Sequence, residues 1–119
     1  MPDVLRILLV DDNVDTLESL QILLEALGHV ATIARTPAEA LAQAASWGAD
    51  VAVVDIGLPG MSGYELAPAL RRAAAAPLRL VAFTGYATDE DVARARAAGF
   101  DAHLVKPVDV DRLLAALVG

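Results

Sequence analysis

Asp11 and Asp12 stand side by side early in the chain, Asp55 stands further on, and Thr84 and Lys106 follow, Lys106 being the only lysine present. Each comes directly after a short apolar run, in Val10-Asp11-Asp12, Val54-Asp55, Phe83-Thr84-Gly85 and Val105-Lys106-Pro107. Singly, each has a plain use. An aspartate after an apolar run commonly caps the helix that follows, a threonine there is a turn residue, and a lone lysine is a solvated charge. Gathered in one place, they ask for more. Two carboxylates about 5 Å apart repel by roughly 3 kcal/mol at an effective dielectric of 20, and capping does not require three of them together. A divalent cation and a facing ammonium would offset that repulsion.

The residue types select the cation. An oxygen-only, carboxylate-rich site in a chain without cysteine suits Mg²⁺, or Mn²⁺, rather than zinc or copper. The expected ligands are Asp55 and Asp12 directly, Asp11 directly or through water, and the backbone carbonyl of Gly57. Beside such an ion Asp55 becomes a nucleophile suited to phosphorus. Phosphoryl transfer mainly needs in-line positioning and neutralised charge on the equatorial oxygens. The cation would take one of these, Lys106 a second, and the Thr84 hydroxyl with a nearby backbone N–H the third.

These residues meet only if the chain carries them to one edge of a sheet. Apolar, β-rich runs occur at Leu5–Val10, Val30–Ala34, Val51–Val54, Leu78–Phe83 and His103–Val105. Segments with helical spacing lie between them. The clearest has Leu17, Leu20, Leu24 and Leu27 on one stripe, stopped by Gly28. Thr36-Pro37, then Ser62 or Gly63, then Thr88 with Asp89, Glu90 and Asp91 open the second, third and fourth helices. Gly99 stops the fourth, and Asp109 caps a fifth that runs through Leu113, Leu114 and Leu117. Five strand-then-helix repeats imply a parallel sheet with helices on both faces, its strands buried and continuously apolar. All carboxyl ends of parallel strands share one edge, where ligands of open α/β sheets bind. Strand order 2-1-3-4-5 would make the first and third strands neighbours there, and so bring Asp11, Asp12 and Asp55 into one crevice.

Composition narrows the function. A chain of 119 residues fits a single domain spanning 1–119, with no repeat or linker inside it. Hydrophobic residues make up 56%, but much of this is alanine placed where helices are expected, as in Arg72-Ala73-Ala74-Ala75-Ala76. No apolar run reaches the roughly 18 residues that span a bilayer, and Met1-Pro2-Asp3-Val4 does not open a secretory signal. Without cysteine there are no disulfides, which fits a cytoplasmic setting. The formal charge of −7, with scattered basic residues, argues against direct contact with nucleic acid. No membrane contact is expected.

Four motifs in order carry a family resemblance: Leu8-Leu9-Val10-Asp11-Asp12-Asn13, Val54-Asp55-Ile56-Gly57-Leu58-Pro59-Gly60-Met61-Ser62-Gly63, Phe83-Thr84-Gly85 and Val105-Lys106-Pro107. Across essentially the whole chain the sequence resembles the receiver domains of two-component response regulators. The resemblance implies a flavodoxin-like (βα)5 three-layer sandwich. Asp11 and Asp12 would be the acidic metal pair, Asp55 the phosphorylation site, Thr84 the switch hydroxyl and Lys106 the phosphate-contacting lysine. It implies a cis Lys106-Pro107 bond, and a phosphohistidine on a sensor histidine kinase or phosphotransfer protein as the donor. It also implies a domain that catalyses its own phosphorylation and dephosphorylation rather than a free-standing enzyme.

The run Gly99 to Asp109 looks like the receivers joined to hybrid sensor kinases, so the parent polypeptide could be such a kinase. One position departs from the pattern. His103 stands where the family has a switch tyrosine or phenylalanine. It is either an exposed strand residue without a task, or a ring that moves inward when Thr84 is drawn to the phosphate. In the second case it remodels the face made by helix 4, strand 5 and helix 5, which is also the dimer candidate.

Other readings compete less well. A receiver-like docking module without phosphorylation would not need Asp11, Asp12, Asp55, Thr84 and Lys106 intact. An aspartate-based phosphatase would carry a second acid where Gly57 stands, and flavin binding lacks a phosphate loop after the first strand. Gly57 and Tyr86 flank the site and would set the access of water. Trp47 is expected to pack at the end of helix 2 and Met61 in the loop after Asp55. Arg71, Arg72, Arg94 and Arg96 are expected to be solvated helix charges.

Overall fold

The structure is a computed structural model that describes residues 4–58, 60–85 and 88–118. Pro59, Tyr86 and the ends of the chain lie outside the described residues, and with them the expectations placed on Tyr86 and on Met1-Pro2-Asp3. The elements alternate throughout: β1 (Arg6–Val10), α1 (Val14–Ala26), β2 (Val30–Ala34), α2 (Pro37–Ser46), β3 (Val51–Asp55), α3 (Gly63–Ala73), β4 (Arg79–Thr84), α4 (Asp89–Ala97), β5 (Ala102–Val105) and α5 (Val110–Val118). The strands form one parallel sheet in the order β2-β1-β3-β4-β5. This is the parallel sheet expected from the alternation and the flavodoxin-like architecture that the resemblance implies.

Each helix begins on a residue that satisfies its free N–H groups. Thr36, Ser62 and Thr88 cap α2, α3 and α4, each accepting a backbone N–H three residues on. Ser62 does so within a full capping box with Glu65. The cap of α1 is Asn13, whose side chain accepts from the Thr16 amide at 3.1 Å. That assignment releases Asp11 and Asp12 from the capping role that either could have filled. Gly28 and Gly99 follow the ends of α1 and α4 with φ of 94° and 105°, the left-handed conformation that ends a helix at little cost to glycine.

Strand side chains alternate between two layers of core. From β1, Leu8 and Val10 join a cluster with Ala40, Leu66 and Leu70 under α2 and α3. Ile7 and Leu9 join the opposite cluster with Leu17 and Leu24 of α1 and Leu113 and Leu117 of α5. Met61 and Trp47 pack against the first cluster, as expected for both.

Four expectations need correction. Leu27, taken as the last member of the α1 stripe, is the C-cap residue and is exposed, because the helix ends before it can face the sheet. The alanine run after Arg72 is mostly not helical: α3 ends at Ala73, since Pro77 restrains the preceding residue from helical backbone and the chain must turn into β4. Arg71 is not simply solvated, for it donates to the Gly99 carbonyl at 2.8 Å and pairs with Asp101 at 3.1 Å, tying α3 to the turn before β5. Arg94 lies over the Tyr64 ring, 4.4 Å from its centroid, and joins α4 to α3. Arg72 and Arg96 are exposed.

Candidate functional site

Pairing of β1 with β3 puts Val10 beside Val54, so the residues that follow them share an edge. Asp11 is buried there; its backbone N–H continues the ladder to the Ala34 carbonyl of β2 at 3.2 Å. Asp55, also buried, is the last residue of β3, and Asp12 is exposed at the mouth. One carboxylate oxygen from each of Asp11, Asp12 and Asp55 lies within 4.8 Å of the others. Three hard oxygen donors so close fit a small divalent cation, which would relieve their mutual repulsion.

Lys106 enters from the end of β5. Its ammonium donates to Asp11 Oδ2 at 2.9 Å and stands 3.6 Å from Asp55 Oδ1. The Phe83 ring lies beneath it, 4.9 Å from Nζ to centroid. The Lys106 amide donates to the Thr84 carbonyl at 2.8 Å, so one short ladder holds lysine and threonine side by side. Thr84 is the last residue of β4 and is buried. The Lys106-Pro107 bond is cis, as the resemblance implies.

The acids are not equivalent. Both oxygens of Asp11 are engaged, Oδ1 by the Asn13 amide at 3.0 Å and Oδ2 by Lys106. Burial pushes the Asp11 carboxyl up, but the Asn13 amide and Lys106 outweigh it and hold the group below the usual carboxylate range. Asp55 Oδ1 accepts the Gly57 amide at 3.1 Å. Burial, aided by the charge of Asp11, outweighs that amide and Lys106 and holds Asp55 above the usual range. Burial would lower the Lys106 ammonium, yet the two acids win and raise it.

The five residues expected at the strand ends thus come to one edge. Gly57 is there too: its amide is on Asp55, and among the described residues a Cβ added to it would meet only Asp55 Oδ1, at 3.8 Å. His103 stands apart, half-buried on the α4 side of β5 rather than exposed. Two contributors escaped the sequence reading, Asn13 as cap and as donor to Asp11, and Phe83 as the floor under Lys106. An asparagine immediately before a helical stripe was the available sign of the first. A groove of about 580 Å³ runs beside the site between α1 and the turn after β5, lined by Asp15, Thr16, Leu20, Phe83, Lys106 and Pro107 among others. A larger depression of about 710 Å³, with Asp50, Arg71, Arg79 and Asp101, opens at the opposite edge of the sheet, away from this chemistry.

Known proteins resemble this chain in sequence and in fold. The chain is 41% identical over 115 residues to the virulence sensor protein BvgS of Bordetella pertussis, covering 92% of this chain and 9% of that protein. It is 35% identical over 111 residues to the transcriptional regulatory protein KdpE of Mycobacterium tuberculosis, covering 93% of this chain and 48% of that one. The chain therefore spans about a tenth of the first relative and about half of the second.

Among solved structures, a CheY-like response regulator receiver domain protein of Methanospirillum hungatei superposes with a TM-score of 0.84 at 35% identity, covering 95% of this chain and 90% of that one. A response regulator protein of Burkholderia pseudomallei with a phosphorylated aspartic acid, a calcium ion and citrate superposes with a TM-score of 0.87 at 32% identity, covering 97% and 66%. The response regulator receiver domain family matches residues 7–118, nearly the full length, and the chain belongs to it.

Proposed function

We propose that Asp55 accepts a phosphoryl group from a phosphohistidine of a sensor histidine kinase or phosphotransfer protein. The observation that carries this reading is the ammonium of Lys106, the only lysine, poised between Asp11 and Asp55 beside a third acid. Asp55 Oδ1 is held by the Gly57 amide, which leaves Oδ2 to meet phosphorus. The new O–P bond forms as the N–P bond of the donor breaks, and the departing imidazole takes up a proton. Lys106 then turns from the carboxylates to the phosphoryl oxygens, and the Thr84 hydroxyl takes another. Asp12, Asp55, the Gly57 carbonyl and Asp11 would hold Mg²⁺ or Mn²⁺, whose charge neutralises the acids and one phosphoryl oxygen. The groove along α1 gives a donor imidazole its approach.

The likeness to a sensor protein of which this chain matches about a tenth supports a kinase or phosphotransfer partner, and a hybrid kinase as parent. Residues 1–119 act as one domain in this reading. Drawing Thr84 toward the phosphoryl group would shift His103 and remodel the face of α4, β5 and α5, through which the domain signals or self-associates.

Acetyl phosphate with Mg²⁺ should add the mass of one phosphoryl group to the protein, and beryllofluoride should block that addition. Asp55→Asn should show neither effect. Wild-type protein that stays unmodified under these conditions would count decisively against the reading.

A further inference from the structure

His103 is the second residue of β5 and pairs in register with Ala82. Its neighbour Leu104 belongs to the cluster under α1 and α5, so alternation points the imidazole to the other face, toward α4. There Nε2 is buried and has no hydrogen-bond partner among the described residues. Beside the ring is a cavity of about 40 Å³, walled by Val92, Ala95, Phe100 and Ala102, with Arg96 and Asp101 also lining it. This is room for water, which needs about 10–15 Å³ and polar partners. The lining is mostly apolar, and the Asp101 carboxylate is tied away through Oδ2, which accepts from Arg71 at 3.1 Å and from the Leu80 amide at 2.9 Å.

The charged groups around β5 divide clearly. On α4, Asp91 bears on His103, and its Oδ2 accepts the Thr88 hydroxyl at 2.6 Å. Arg96 on the same helix is exposed, and Arg94 is occupied over Tyr64. On α5, Asp109 and Arg112 pair with each other at 3.5 Å and Asp111 is exposed. On β4, Arg79 donates to the Ala116 carbonyl at 2.7 Å, and at the end of β5 Lys106 is committed to Asp11 and Asp55. Among the described residues no ion pair engages Asp91, and no hydrogen bond reaches the buried Nε2 of His103 inside the seam.

We propose that protonation of His103 expels its ring from the seam between α4 and β5 toward Asp91, making that face responsive to pH without phosphorylation. The reason is an asymmetry of cost. A neutral imidazole can leave Nε2 as an unprotonated acceptor, whereas the imidazolium must bury a charged N–H among apolar walls. Outside, the same charge meets water and a carboxylate. Burial already pulls the imidazole below its ordinary value, and Asp91 pushes it partly back. The ring therefore sits inward at neutral pH and leaves as the solution turns acid. Its motion drags Ala95 and Phe100, which bound the cavity, and so shifts α4 against the sheet.

The test is an NMR titration of the unphosphorylated, Mg²⁺-free chain from about pH 8 to about pH 5, following both imidazoles and the backbone amides. Amides of Val92, Ala95 and Phe100 should move with the midpoint of His103. Those movements should vanish in His103→Phe and in His103→Gln, two variants of different polarity that guard against loss of fold in one. Asp91→Asn should shift the midpoint to lower pH. Movements in α4 that survive in both His103 variants, or wild-type movements confined to the residues flanking His103, would overturn the proposal. Neither outcome touches the phosphoryl reading, because no phosphate is present.

Discussion

At Asp55 the surroundings oppose the negative charge. Burial and the neighbouring Asp11 outweigh the help of the Gly57 amide and Lys106. A carboxyl whose folded value is raised costs stability once the pH exceeds that value, and costs nothing when folded and unfolded states are both protonated. In metal-free protein Asp55→Asn should therefore be more stable than wild type at neutral pH, with a higher melting temperature. The advantage should shrink as the pH falls through the range of Asp55. Thermal unfolding across that window checks both parts, and an Asn variant no more stable at neutral pH would mean that Lys106 compensates Asp55 completely.

Lys106→Ala should act in the opposite sense. It leaves buried Asp11 Oδ2 without its donor, at a cost of about 1–3 kcal/mol. It should also cut modification by acetyl phosphate far more than Arg72→Ala, whose exposed side chain ought to matter by under about 0.5 kcal/mol. Equal effects of the two substitutions, read by mass and by urea unfolding, would undo the site map. That Asp11, Asp12, Asp55, Thr84 and Lys106 share one edge was legible in the sequence, because each stands at the end of an apolar run and parallel strands carry such ends to the same side. Which acid the lysine grips was not, because that depends on the Asn13 amide occupying the other oxygen of Asp11.

The segment from β3 into α3 must turn tightly to return the chain over its own sheet. Gly63 is where it passes closest: its amide donates to the Ile56 carbonyl at 3.0 Å. An added Cβ would stand 2.7 Å from Ile56 Cα and 3.0 Å from the Asp55 carbonyl oxygen. Backbone cannot give way as a flexible side chain can. Gly63→Ala should cost about 1–3 kcal/mol and, by displacing the peptide that carries Asp55, should slow its modification. Gly57→Ala meets Asp55 Oδ1 only in ordinary contact, at 3.8 Å, and should fold within about 0.5 kcal/mol of wild type. Urea unfolding of the two variants side by side measures the contrast; equal stabilities would show that the start of α3 relaxes freely.

Caps and glycine stops made most element boundaries readable, since Thr36, Ser62, Thr88, Gly28 and Gly99 each do a local job that the sequence states. The end of α3 was hidden because alanine favours helix wherever it stands, while a proline three residues past the C-cap and the need to start β4 decide otherwise. The true edges of β3 and β4 also lie one residue further on, at Asp55 and Thr84. There the ladder extends into the site: the Ile56 amide reaches Phe83 and the Lys106 amide reaches Thr84.

Two hydrophobic clusters lie on opposite faces of a single sheet, and the strands belong to both. Leu8 and Val10 face one cluster and Ile7 and Leu9 the other, so neither layer can loosen without moving the backbone that orders its counterpart. The Cα radius of gyration of 12.8 Å matches the roughly 13.5 Å of a compact chain of this size, and leaves no loosely attached part among the described residues. Cooperativity follows from that geometry. Leu113 is buried under α5, whereas Trp47 packs in the cluster across the sheet, with the Arg6 guanidinium 4.2 Å above its ring.

Leu113→Ala should cost about 2–5 kcal/mol. It should lower the transition seen by Trp47 fluorescence as far as that seen by far-ultraviolet circular dichroism. Leu70→Ala, in the Trp47 layer, should give the same coincidence. A Trp47 transition that stays at its wild-type midpoint while the dichroism of Leu113→Ala falls would show that the layers unfold separately. The acid and lysine cluster spans both: Asp11 follows β1 and Asp55 ends β3, strands that each layer clamps, and Lys106 follows β5, whose Leu104 belongs to the α1 and α5 layer. Separate unfolding would therefore break the site before it broke the fold. A single transition instead makes the integrity of the acid and lysine cluster a property of the whole sheet.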